Sequence, residues 1–123
     1  MSELYRRAEG LQAYADQLGM SVLDVEAHFI TNYGSKFSES AFLAAGGGNW
    51  QENELSLRER SLIVITVLTT LGAVDERLRG HLKWASQHNL NREDLEAALA
   101  LIANYAGFAR ASVAMDLLNE LDK

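Results

Sequence analysis

The run from Leu55 to Leu121, LSLRERSLIVITVLTTLGAVDERLRGHLKWASQHNLNREDLEAALALIANYAGFARASVAMDLLNEL, decides the fold. Ser56-Leu57-Arg58-Glu59 is a capping box, in which the serine oxygen takes one orphan amide and the glutamate reaches back to another. The helix it starts runs to about Leu71 and carries Leu62, Ile63, Val64, Ile65, Val67 and Leu68 with almost no polar face. A helix apolar on all sides is surrounded by protein, and in so short a chain that surrounding is expected to include a second subunit. Asp75 caps the next helix, whose inner face reads Val74, Leu78, His81, Leu82 and Ala85 before Asn89 supplies a left-handed stop. Asn91 with Asp94 caps a further helix with the stripe Leu95, Ala98, Leu99, Ile102, Ala103 and Tyr105. Gly107 breaks the chain, and Ala109 to Leu121 closes it as a helix with Val113, Leu117 and Leu121 inward.

Upstream, Leu4, Ala8, Leu11, Ala15 and Leu18 recur at helical steps between Ser2 and Leu18, and Gly19 ends that helix. Ser21 caps a second helix with Val22, Val25, Phe29, Ile30 and Tyr33 as its stripe and Gly34 as its stop, and Ser38 caps a short helix through Phe42 and Leu43. Gly46-Gly47-Gly48-Asn49 reads as a flexible connection, and it lacks the spacing and the lysine of a phosphate loop. The expected organisation is one domain over residues 1–123: an N-terminal helical arm over 1–45, a Gly-rich connection over 46–54 and a core over 55–121. No stretch alternates with period two, so the fold class is all-α, with about six to seven helices.

The chain has 123 residues, enough for one core, and is 48% hydrophobic and 23% charged, as soluble globular proteins are. A net charge of −6 argues against a nucleic-acid partner, which would select a basic face. With no cysteine, disulfides, thiol catalysis and thiolate metal sites are excluded together. The N-terminus lacks the apolar core of a signal peptide, and the run from Leu62 to Leu71 is shorter than the ~20 residues that span a bilayer. The expectation is therefore a cytoplasmic protein with no membrane partner.

His81 is the sharpest chemical candidate, because it projects from the apolar side of its helix, where an imidazole exchanges a proton near neutral pH. The same position suits a core histidine satisfied by one partner. Arg77 stands in the charged run Asp75-Glu76-Arg77, as a bidentate carboxylate ligand or a solvated surface arginine. His88 sits at a helix C-terminus, where a cation complements the dipole, and His28 has no motif around it. No pair of histidines has ligand spacing on one helix, so no metal is expected. Trp50 and Trp84 read as packing or interface residues.

The capped apolar helix, the Leu-Arg-Gly-His of Leu78 to His81 and the Tyr-Ala-Gly-Phe of Tyr105 to Phe108 come in an order that resembles the carboxymuconolactone decarboxylase family, which includes the alkylhydroperoxidase-D-like proteins. The resemblance covers a little over half the chain. It implies an alkylhydroperoxidase-D-like helical fold, assembly as rings of three or six subunits, and an active-site role for His81. In the peroxidase branch a glutamate on the preceding helix joins a relay with two cysteines and a histidine. Glu59 matches that glutamate while also filling the capping-box position, and the cysteine positions are occupied here by Val74 and Arg77. A Cys-x-x-Cys peroxidase is thereby excluded. The family's Pro-Gly-Leu and Tyr-Ala-Gly-Phe-Pro are altered, to Asn53-Glu54-Leu55 and to a turn that ends in Ala109.

What the resemblance implies is a cofactor-free lyase acting on a small carboxylated lactone or related acid. His81 would transfer the proton, Glu59 would support it, Arg58 or Arg77 would hold a carboxylate, and Trp84, Tyr105 and Phe108 would wall the pocket. The alternatives are a catalytically silent oligomer that binds a small acid and, ranked last, a thiol-less relative of the peroxidase branch.

Overall fold

The computed structural model describes residues 2–51 and 53–121, all helical or irregular; no strand occurs among them. The chain divides into two compact units, Met1–Glu54 and Leu55–Lys123, at the point where the Gly-rich connection gives way to the capping box.

The first unit is a pair of helices. α1 (Glu3–Leu18) starts on the Ser2 hydroxyl, which accepts from the Tyr5 amide at 3.1 Å, and ends at left-handed Gly19. α2 (Val22–Ala45) starts in the same way, on Ser21. Leu11, Ala15, Val25, Phe29 and Phe42 form the core of this unit. Leu4 and Leu18, expected on the inward stripe, are exposed. Gly10 explains the narrow contact: a Cβ there would lie 1.7 Å from the Phe42 carbonyl oxygen, so the two helices meet backbone to backbone. Arg7 ties them further, reaching Glu26 and Glu39 at 2.6 Å each while its guanidinium lies 5.3 Å from the centre of the Phe42 ring. Gly34 does interrupt its helix, at φ 79° and ψ 165°, but the helix resumes at once and continues to Ala45. Ser38, expected to cap a separate short helix, is accordingly buried inside α2.

The second unit holds α3 (Leu57–Leu71), α4 (Glu76–Trp84) with a 3-10 turn over Ala85–His88, α5 (Arg92–Ala106) and α6 (Phe108–Leu121). Both expected capping boxes form. The Glu59 amide donates to Ser56 Oγ at 3.1 Å and the Ser56 amide to Glu59 Oε1 at 2.9 Å, while Asn91 and Asp94 exchange the equivalent bonds at 2.9 and 3.0 Å. Asp75 caps α4, Gly72 and Asn89 end α3 and the 3-10 turn in the left-handed conformation, and Gly107 at φ 107° parts α5 from α6. The core of this unit gathers Ile65, Leu78, Leu82, Leu90, Leu95, Leu99, Ile102, Leu117 and Leu118.

Two positions depart from the expected stripes. Tyr105 is 90% exposed, because it lies two residues, about 200° of helix, beyond buried Ala103. Val113 is also exposed; the inward set on α6 is Ala111, Ala114, Leu117 and Leu118. On α3, Ile65 and Thr69 are buried, whereas Ile63, Val67 and Leu71 face outward from the chain. No helix among the described residues is long and apolar enough to cross a membrane.

Candidate functional site

The site is built by α4 and the 3-10 turn that prolongs it. His81, Trp84 and His88 follow each other at three and four residues, the spacing that stacks side chains on one helical face. The His81 and Trp84 ring centres lie 6.0 Å apart at 53°, and those of Trp84 and His88 4.6 Å apart at 61°. Trp84 is buried, His88 is 6% exposed, and His81 is partly buried with its Nδ1 shielded from solvent. From α3, buried Ser61 brings its hydroxyl to 2.5 Å from His88 Nδ1. The result is a row of three rings that begins at His81 and ends on a serine.

Burial sets the electrostatics of this row. Desolvation, with a smaller contribution from the charge on His88, pushes His81 down to about 4, and desolvation lowers His88 as well. Both rings are thus neutral near pH 7. A neutral imidazole can accept a proton, and an anion brought against it restores its affinity for one.

His88 is the residue that sequence reasoning undervalued. Its place near a helix end suggested a solvated cation facing the dipole, whereas the structure buries it against Trp84 and Ser61. The signal was present as the His81, Trp84, His88 spacing, but it becomes legible only once Ser61 is known to lie alongside.

Glu59 is exposed and committed to the capping box. The Ser56 backbone and hydroxyl hold its carboxyl below the usual range, so it stays ionised, which suits a helix cap better than an acid. Arg77 is exposed, and its guanidinium returns to Asp75 at 2.6 Å, the residue that caps its own helix.

Arg58 and Tyr105 come together elsewhere, in a groove of about 600 Å³ between α3 and α5 whose walls are mostly Leu62, Ala97, Ala98, Leu101 and Ile102. Arg58 sits there 3.5 Å from Asp94 and donates from Nε to the Asn89 carbonyl at 3.3 Å. His81, Trp84 and Phe108 do not line this groove, and Phe108 is 70% exposed at the start of α6. The residues expected to wall a single pocket do not all line this groove: Tyr105 and Arg58 do, Trp84 lies beside His81, and Phe108 is exposed. Among the described residues no group of three or more histidine, aspartate or glutamate side chains is arranged to hold a metal ion.

The described residues form helices with no strand, and comparison with known families gives the class of protein. The chain belongs to the carboxymuconolactone decarboxylase family, whose profile matches residues 38–120. It is also similar to a 4-carboxymuconolactone decarboxylase of Acinetobacter baylyi (strain ATCC 33305 / BD413 / ADP1), with 27% identity over 123 residues, covering 100% of this chain and 91% of that protein. No solved structure matches the chain significantly. The family match begins inside α2, further upstream than the motifs of the second unit.

Proposed function

We propose that the protein is a cofactor-free lyase that removes carbon dioxide from a small carboxylated lactone or related acid. The observation that carries this reading is His81: a desolvated imidazole beside a buried tryptophan, in a chain of the carboxymuconolactone decarboxylase family. The chemistry asks little else of the protein. Cleavage of the C–C bond to the carboxylate leaves its electron pair on the ring, delocalised toward the lactone carbonyl, and a proton must then be delivered to carbon. His81 is neutral when empty. The negative charge of the substrate raises its proton affinity, so it takes a proton from water as the anion develops and passes it to carbon. Glu59 contributes by fixing the start of α3 rather than by exchanging protons. Of the two arginines, Arg58 lines the α3–α5 groove, 3.5 Å from Asp94, and Arg77 is paired with Asp75 at 2.6 Å, so a substrate carboxylate would have to displace an acidic partner at either.

Ultraviolet absorbance of 4-carboxymuconolactone, followed with wild type and His81→Ala, tests the proposal. Wild type should consume the substrate and the variant should be slower by about 100-fold or more. A wild type that leaves the substrate unchanged overturns it.

The second reading is a catalytically silent protein that binds a small acid. The α3–α5 groove favours it, being mostly apolar with Arg58 at its edge and not lined by His81. A ligand-dependent rise in melting temperature without turnover would select this reading. A thiol-less relative of the peroxidase branch ranks below both, since Val74 and Arg77 stand where thiols would be needed.

We further propose that copies of the chain associate as a trimer or hexamer. Ile63, Val67 and Leu71 on α3, Leu101 and Tyr105 on α5 and Phe108 on α6 are large apolar side chains exposed on the single chain, and a second copy would shelter them.

A further inference from the structure

We propose that Ser61 and His88 are a positioning pair for His81: the Ser61 hydroxyl locks the His88 ring, and His88 holds Trp84, which holds the His81 imidazole in one orientation. The role assigned to His81 rests on the lyase reading above; the arrangement of the four side chains does not.

The geometry argues for more than a satisfied core histidine. Ser61 is 2% exposed and His88 6%, on separate elements, and their contact is short at 2.5 Å. An imidazole can turn over about its χ2 with little change of shape, and what selects one orientation and one tautomer is the hydrogen bond made by one of its nitrogens. Ser61 supplies that bond to Nδ1. The locked ring then packs at 4.6 Å against Trp84, whose other neighbour in the row is His81. Ring positions fixed in this way set which His81 nitrogen faces outward, and proton transfer depends on that to fractions of an ångström.

The charged groups on the neighbouring elements are paired or exposed to solvent. On α3, Arg58 donates to the Asn89 carbonyl, Glu59 serves the Ser56 amide, and buried Arg60 donates to the Leu55 carbonyl. On α4 itself, Arg77 pairs with Asp75, Arg79 reaches both Glu76 and Glu120 of α6, and Lys83 is exposed. Elsewhere on α6, Arg110 donates to the Thr70 carbonyl and Asp116 is exposed; on α5, Asp94 serves the Asn91 amide and faces Arg58. Ser61 is a polar link between α3 and this row of rings.

The test uses full-length protein labelled with nitrogen-15 in histidine and no substrate. Imidazole resonances are followed from about pH 8 to about pH 2.5, so that the range extends below the His81 midpoint near 4. In wild type, His88 should show a single tautomer. In Ser61→Ala its two ring nitrogens should move toward averaged shifts, and the His81 protonation constant should change by about threefold or more. Ser61→Thr, which keeps the hydroxyl, should restore both. His88→Asn should raise the His81 midpoint, because a positive neighbour is removed. If Ser61→Ala alters His88 while the His81 constant stays at its wild-type value, or if His88→Asn leaves the His81 midpoint in place, the pair is structural only and the proposal is overturned. Since no turnover is measured, failure of the lyase assay and failure of this coupling are separate results.

Discussion

His81 and His88 are held neutral by burial, and this has a consequence for stability whatever the ligand. The unfolded chain binds protons on these rings below about pH 6.5, while in the folded chain His81 takes one up only near 4 and His88 takes one up below its ordinary value. The unfolded state therefore binds more protons through that window, and stability falls as the pH is lowered across it. For His81 the loss integrates to roughly 3 kcal/mol by the time the pH nears 4. Carboxylates with lowered values, such as Glu39 and Asp75, add their loss below the ordinary carboxylate range, so the window above pH 5 belongs mainly to the rings. Thermal unfolding from pH 7 to pH 5 should show a falling melting temperature in wild type and a flatter profile in His81→Asn. Equal slopes in the two proteins would mean that the ring is solvated in solution.

Helices in this chain are started by polar residues outside the core and positioned by contacts within it. The capping boxes at Ser56 and Asn91 and the serine caps at Ser2 and Ser21 each satisfy amides that would otherwise be orphaned, which is why these helices begin where they do. Such signals are local and short, so they were legible from the residues alone. The α1–α2 contact was not, because it depends on a missing side chain. Gly10 lets the α2 backbone approach, and Gly10→Ala would drive a methyl into the Phe42 carbonyl. The expected result is a loss of about 3 kcal/mol, read as an earlier midpoint in denaturant. A variant as stable as wild type would show that the helices can separate at no cost.

For the molecule as a whole, the apolar faces of α3 and α5 make a prediction about assembly. Leu101 is 61% exposed, lies in the α3–α5 groove and takes no part in the row of rings around His81. Light scattering after size-exclusion chromatography should find wild type as a trimer or hexamer and Leu101→Glu shifted toward the monomer, since a buried unpaired carboxylate is strongly unfavourable at an interface. A monomeric wild type would refute the assembly. It would also leave the outward residues of α3 without an explanation, since a helix this apolar is otherwise expected to be enclosed.

The residues from Leu55 onward sufficed for the all-helical class and for the caps at Ser56, Asp75 and Asn91, because capping and periodicity are written in neighbours three and four positions apart, while His81 was singled out by the family resemblance. They also excluded thiol chemistry outright, since that requires a cysteine and the chain has none. Folding in space settled what depends on distant partners. It paired Ser61 with His88 across 27 positions and placed Arg58 and Tyr105 in a groove that Trp84 does not line. A side chain's chemistry follows from what surrounds it in three dimensions, and the local pattern along a chain records only one side of that surrounding.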